Sequence, residues 1–213
     1  MKLYTYDESG NSYKVRLLLS FLDIRCDQVV VDLMLDEQHS AAFLAVNPRG
    51  EVPALVDGDL VLRDSAAILV YLAGRHGGGW WSGDAAEQAA ITEWLAFAAS
   101  WVQYGVFTAR AKVAFGIPAN GLPADFPGDV LAEAHIRGEK SLAILDEHLD
   151  GREWLTLGRP TIADIAVFPY IALAPMGDIA LTPYANVQAW IARFRALPGF
   201  VPIAGLDDPH YRS

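Results

Sequence analysis

Three short segments carry side chains whose types and spacing suit anion or thiol chemistry. In the first, Ser9, Asn11 and Ser12 lie in DESGNS (residues 7–12), just ahead of a helical stretch. The first N–H groups of a helix lack intrahelical acceptors, and the helix dipole favours negative charge beside them. A hydroxyl or amide placed there can donate to a bound thiolate. Simple helix capping by Asn11 or Ser12 accounts for the same residues. The second segment is Val52-Pro53. A proline that opens a strand removes a ladder donor and belongs at an edge or a bend. A cis bond would let the neighbouring backbone face a ligand, while a trans edge proline is the ordinary alternative. The third is Asp64-Ser65 at the start of another helix. The helix N–H groups and the Ser65 hydroxyl suit a carboxylate, and Asp64 suits an ammonium. Capping explains this pair too, and is the commoner use of such residues.

The elements that must position these segments follow from periodicity. Residues 2–6 are β-prone. From Tyr13 the period turns helical, with Val15, Leu18, Leu19 and Leu22 on one stripe and Lys14 expected to face away. Residues 28–31 are expected to form a buried strand, and residues 36–46 a second helix stopped by Asn47-Pro48. Val52-Pro53-Ala54-Leu55-Val56, the turn Asp57-Gly58 and Leu60-Val61-Leu62 form a hairpin. A helix over 66–75 follows, with Ile68, Leu69 and Leu72 inward. The order is β-α-β-α-β-β-α.

After Gly77-Gly78-Gly79 the strand signals end. Helical periodicity runs over 85–115, 129–149, 162–173 and 186–197, and the prolines of 116–128 make that stretch irregular. The expected organisation is an α/β domain at 1–76, a linker at 77–84 and an all-helical domain at 85–213.

The 213 residues are 53% hydrophobic and 20% charged, which indicates a folded globular chain. Its 16 Lys and Arg against 26 Asp and Glu give a net charge of −10, a field that repels nucleic acid. Cys26 is the sole cysteine, so no intrachain disulfide or Cys-x-x-Cys pair exists. His39, His76, His135, His148 and His210 follow no metal-ligand spacing, and no metal is expected. No apolar run approaches the roughly 20 residues of a membrane span. With no apolar leader after Met1, a cytoplasmic protein that leaves membranes alone is expected.

Taken together, the segments resemble the glutathione S-transferase family over nearly the whole chain. SGNSYKVRLLL (9–19) is similar to its first active-site segment, NPRGEVPALVDG (47–58) to its glutathione backbone clamp, and RDSAAILVYLA (63–73) to its γ-glutamyl site. PTIADI (160–165) resembles the N-capping box and hydrophobic staple of its helical domain, with Thr161 and Asp164 as reciprocal caps. The resemblance implies a thioredoxin-like N-terminal domain, a helical C-terminal domain, a homodimer, and glutathione as cosubstrate. Ser9, six positions before Val15, takes the place of the activating Ser or Thr of serine-type and nu-like members, and Asn11 that of an accompanying Asn. Gln38 falls where several classes place a glutathione-contacting Gln or His. Val52 would bond the cysteinyl backbone, Pro53 would be the family's cis proline, and Asp64 with Ser65 would hold the γ-glutamyl group.

The implied activity is transfer of glutathione to a small electrophile, as in detoxification. Rivals are a glutathione-dependent disulfide reductase, a maleylacetoacetate-type isomerase and a non-catalytic binding module. Gly10-Asn11 departs from the Ser-Cys of the isomerase loop. Asp64 is shorter than the usual Glu or Gln, and Glu51 replaces a common Lys or Gln, with Arg49 as a compensating cation. Trp94, Trp101, Tyr104 and Phe107 are candidates for an acceptor pocket, or for core and dimer contacts. Arg110 is expected at the active-site mouth or on a solvated face, and Cys26 as an inert thiol.

Overall fold

The computed structural model describes residues 1–118 and 127–211. Part of the stretch expected to be irregular, residues 119–126 with Pro123, lies outside the described residues. The chain forms two compact units: Met1–Ser82 with Pro198–Ile203, and Gly83–Leu197 with the chain from Ala204 onward.

The first unit runs β1 (Lys2–Thr5), α1 (Gly10–Phe21), β2 (Asp27–Val30), a 3-10 turn (Glu37–His39), α2 (Ala41–Leu44), β3 (Ala54–Asp57), β4 (Leu60–Leu62) and α3 (Ser65–His76). The sheet order is β2-β1-β3-β4, with β1 parallel to β2 and antiparallel to β3, and β3 antiparallel to β4. Leu3, Val15, Leu18, Leu55, Ile68, Leu69 and Leu72 fill its core. This is a thioredoxin-like arrangement, and the α/β expectation holds.

Three local readings need correction. The strand expected to be buried is an edge: most of Asp27–Val30 is exposed, and Val31 just beyond it is the buried residue. The sheet order causes this, because β2 has only β1 as a neighbour. The single helix expected over 36–46 is broken at Ser40. Its backbone is extended (φ −64, ψ 147) and its hydroxyl accepts from the Phe43 N–H at 3.3 Å, so it starts α2 afresh. Lys14 does not face away. It is buried at 5% exposure, one helical turn before Leu18 at the margin of the expected stripe.

The second unit contains α4 (Ala85–Phe97), a π-helical stretch (Ala98–Phe107), α5 (Thr108–Phe115), α6 (Val130–His148), α7 (Ile162–Ala172), a 3-10 turn (Ala174–Gly177) and α8 (Ala185–Arg195). The π stretch carries i→i+5 bonds, and the Thr108 hydroxyl donates to Gln103 O, five residues back, at 2.9 Å. Gly105 lies against Gly138 of α6 so closely that an added Cβ would stand 2.7 Å from the Gly138 nitrogen. Two glycines thus let these helices meet backbone to backbone. The aromatic residues separate: Trp94 of α4 is buried, while Trp101 and Tyr104 of the π stretch are exposed at 39% and 58%.

The box at the start of α7 forms as expected. The Thr161 N–H donates to Asp164 Oδ2 at 2.9 Å, and Thr161 Oγ1 accepts from the Ala163 N–H at 3.2 Å. Asp164 Oδ1 also accepts from the Leu155 N–H at 3.1 Å and from Trp190 Nε1 at 3.0 Å. One buried carboxyl therefore ties the preceding loop, α7 and α8 together.

Candidate functional site

The sheet register brings the candidate segments to one end of the first unit. Thr5 at the end of β1 pairs with Val30 at the end of β2, Tyr4 with Ala54 at the start of β3, and Leu55 with Leu62 at the end of β4. The segments that leave or enter the sheet at that end are the Ser9 loop, the 31–40 stretch with Gln38, Val52-Pro53 and Asp64-Ser65. Four separate connections converge because the β1–β3 pairing is antiparallel.

At the start of α1 the cap is Ser9. Its Oγ accepts from the Ser12 N–H at 3.2 Å, and its carbonyl accepts from the Tyr13 N–H at 2.8 Å. Asn11 and Ser12, read as loop residues, lie inside the first turn of the helix. Ser12 is fully buried, and its hydroxyl accepts from the Tyr6 N–H at 3.4 Å, behind the loop. Ser9 and Asn11 are half-buried. The capping oxygen of Ser9 is an acceptor in that bond, so its hydrogen can be given to a further acceptor.

Two cations hold this corner, Lys14, expected to face away, and Arg16, for which the sequence suggested no role. Arg16 donates to Thr5 Oγ1 at 2.8 Å, to Tyr6 O at 2.9 Å and to Asp7 O at 2.6 Å. One guanidinium thereby fixes the path of the chain from β1 into α1. Lys14 Nζ donates to Asn11 Oδ1 at 2.8 Å. Burial pushes its ammonium down to about 8 from 10.5, with the field of Asp64 acting the other way. No local pattern marks a long cation that turns inward, so spacing alone could not have found either one.

The Val52–Pro53 peptide bond is cis. Val52 packs with Val31 and Phe43, against Tyr4, Tyr6 and Leu33. The β1–β3 ladder ends at Tyr4 and Ala54, so the backbone groups of Val52 lie beyond it. Ahead of it, the buried Asn47 holds the turn: its Nδ2 donates to Glu51 O at 2.6 Å and its Oδ1 accepts from the Arg49 N–H at 3.1 Å. Gly50 (φ +63) completes the turn, and a Cβ there would meet the His39 ring at 2.9 Å and Gln38 O at 3.3 Å. Gln38 donates from Nε2 to Asp36 Oδ1 at 3.0 Å, while its Oε1 is buried with no hydrogen-bond partner.

Asp64 caps α3 through Oδ1, which accepts from the Ala66 and Ala67 N–H groups at 2.8 and 3.2 Å. Its second carboxylate oxygen and the half-buried Ser65 hydroxyl stand at the same helix start. Arg63 Nε donates to Val46 O at 2.7 Å, and Arg49 donates to Arg63 O at 3.2 Å, joining this turn to the clamp segment. Both arginines are therefore engaged with backbone.

In the second unit the aromatic candidates separate. Trp94 lies on His148 (centroids 4.5 Å) and Phe107 on Tyr170 (4.9 Å), whereas Trp101 and Tyr104 are exposed. Arg110 is not on a solvated face. It is buried, with Nε 3.3 Å from Met176 Sδ and its guanidinium 4.7 Å from the Phe115 ring centroid. Cys26 is half-buried, and burial pushes its thiol up.

A thioredoxin-like unit with this end-of-sheet site, followed by a helical unit built on a capping box, defines the glutathione-transferase class of fold. Residues 3–80 match the family model described as glutathione S-transferase, N-terminal domain, and residues 128–193 match the C-terminal domain. A glutathione S-transferase crystal structure from Xanthobacter autotrophicus is 32% identical, with TM-score 0.84 over 97% of this chain and 98% of that one. Glutathione S-transferase GstB of Escherichia coli is 28% identical over 200 residues, 92% of this chain and 93% of its own length. A family member from Pseudomonas fluorescens, solved with two glutathione bound, is 27% identical, with TM-score 0.77 over 93% of this chain and 89% of that one. The chain belongs to the glutathione S-transferase family and is a glutathione transferase.

Proposed function

We propose that the chain binds glutathione at the end of the sheet described above and activates its thiol through hydrogen bonds from Ser9 and Asn11. The observation that carries this reading is the Ser9 hydroxyl at the N-terminus of α1, with its oxygen accepting from the helix and its hydrogen available to a sulfur anion. Donation to the thiolate, beside the positive end of a helix, favours the ionised form. The thiol proton passes to water. The sulfur lone pair then forms a bond to an electrophilic carbon, displacing a leaving group with its electron pair or adding to an activated double bond.

The rest of the tripeptide has matching partners. The Val52 N–H and C=O, outside the ladder and next to Pro53, suit the cysteinyl backbone. With the Ala66 and Ala67 N–H groups held by the Asp64 cap, the Ser65 N–H and hydroxyl suit the γ-glutamyl carboxylate, and Asp64 suits its ammonium. Gln38, in the 31–40 stretch at the same end of the sheet, is a further candidate contact. The working form is a cytoplasmic homodimer; among the described residues no helix is long and apolar enough to cross a membrane. The test is a titration of the glutathione complex by thiolate absorbance, together with a panel of electrophiles and disulfides. A bound thiol that ionises at the same pH as free glutathione would overturn the proposal.

A further inference from the structure

We propose that Lys14 is a positioning residue for the thiolate, whose ammonium holds the Asn11 side chain with its amide nitrogen turned toward the sulfur. The inference rests on the assignment of this turn to the glutathione thiol.

Lys14 Nζ stands 2.8 Å from Asn11 Oδ1, three residues along the same helix. An ammonium has three donors and no acceptor, so the end of the amide facing it must be oxygen. The NH2 group sits on the same carbon and is directed away from Lys14. A side-chain amide without such a neighbour can present either end. An Asn that presented its oxygen to a sulfur anion would repel it; one that presents its nitrogen donates to it. Lys14 therefore selects the polarity of Asn11 that a thiolate needs.

The charge state fits this role. A buried ammonium is costly unless it is paired, and Lys14 is only 5% exposed. Its environment brings it down to about 8, first through desolvation, with Asp64 at the start of α3 opposing. On α1 itself, Arg16 is turned to Thr5 Oγ1 and the Tyr6 and Asp7 carbonyls, and the loop ahead of α1 carries the carboxylates of Asp7 and Glu8, the latter accepting from the Tyr6 hydroxyl at 3.2 Å. At pH 7 such a group is about nine-tenths protonated. Above pH 8 the neutral amine gains a lone pair, accepts as readily as it donates, and no longer dictates which end of the amide faces it.

The experiment compares wild type, Lys14→Met, Lys14→Arg, Asn11→Ala and Ser9→Ala. Each is assayed for glutathione affinity, bound-thiol pKa by thiolate absorbance, and kcat from pH 6 to 10. Lys14→Met should raise the bound-thiol pKa and lower kcat near neutral pH by about tenfold, with glutathione affinity within about threefold of wild type. Wild type should lose rate on an alkaline limb near pH 8, and Lys14→Arg, which stays charged, should restore the neutral rate and lack that limb. If Lys14→Met fails to fold, Asn11→Ala decides: the alkaline limb must vanish with the amide, and its persistence overturns the proposal. An unchanged thiol pKa and pH profile in folded Lys14→Met also overturns it. If Ser9→Ala raises the thiol pKa while Lys14→Met does not, the thiolate site stands and this inference fails. If no variant shifts the thiol, the site assignment itself fails.

Discussion

The Ser9 hydroxyl oxygen accepts a hydrogen bond from the Ser12 N–H at 3.2 Å, so one side chain both caps α1 and retains a hydrogen to give. Capping and thiol activation, which the sequence offers as alternatives, are compatible in one residue. The cap fixes where the oxygen sits, and that fixes where the donated hydrogen can point.

Ser9→Ala should therefore show two separable losses. Removing the cap should cost about 0.5–2 kcal/mol of stability, read by denaturant unfolding. A hydrogen bond to a charged group is worth ~1.5–3 kcal/mol, so the bound thiol should titrate about one to two units higher. Glutathione should still bind. Loss of stability with an unchanged thiol would leave Ser9 as a cap and nothing more.

Asp64 permits a similar separation. Asp64→Asn keeps a good N-cap for α3 but removes the charge, so stability should hold while KM for glutathione rises. Asp64→Ala should lose both, with about 0.5–2 kcal/mol of destabilisation. Equal glutathione affinity in wild type and Asp64→Asn would remove the ammonium contact from the binding scheme.

Lys14 should make stability depend on alkaline pH. Its folded pKa of about 8 lies below 10.5, so between those values the unfolded chain holds more protons and stability rises with pH. At pH 7 the burial penalty is fully present. Lys14→Met should accordingly be more stable than wild type at neutral pH, by an amount that shrinks as pH climbs through 8 to 10.5. Parallel stability curves for the two proteins would contradict the burial of a charged Lys14.

The α7 box gives a prediction within the helical unit. Thr161→Ala should destabilise by about 0.5–2 kcal/mol without altering the bound-thiol pKa. Burial pushes the Asp164 carboxyl up to about 6 from 3.8, against hydrogen bonds from Leu155, Thr161 and Trp190 that pull it down. A raised acid is more protonated folded than unfolded, so its contribution is full below 3.8 and is lost as pH rises through about 6. The stability difference between wild type and Asp164→Asn should fall across that window, and a flat difference would show no shift.

A homodimer should be evident in sedimentation at micromolar concentration. The exposed Trp101 and Tyr104 are the large apolar side chains of the π stretch, and the double change Trp101→Glu with Tyr104→Glu should favour the monomer if that face is buried between copies. A wild-type chain that sediments as a monomer at all concentrations rules the dimer out.

What the sequence by itself determined were features made within a turn or two of chain. Asp64 caps α3, Thr161 and Asp164 form their box, Leu60 follows Asp57 through a tight hairpin, and proline opens the β3 segment. Each depends on backbone groups three or four residues away, which adjacent residue types specify. The β-α-β-α-β-β-α order was legible for the same reason, as a succession of periods. The 36–46 helix failed where Ser40 could either continue a helix or start one, a choice made by packing around Phe43 rather than by propensity.

Only the tertiary structure decided which side of each element was covered. Residues 27–30 have a strand's composition whether at the centre or the edge, and the sheet order made them an edge. Lys14 and Arg110 carry long stems that lie as well along protein as in water, so their burial depended on elements distant in sequence: the neighbourhood of Asp64 for one, Met176 for the other. The same holds for the proposed thiol site. Ser9, Val52 and Asp64 are far apart along the chain, and they share one end of the sheet because β1 pairs antiparallel to β3 and β3 to β4. Pairing energy and core burial set that register, and both are properties of the assembled sheet rather than of any single segment.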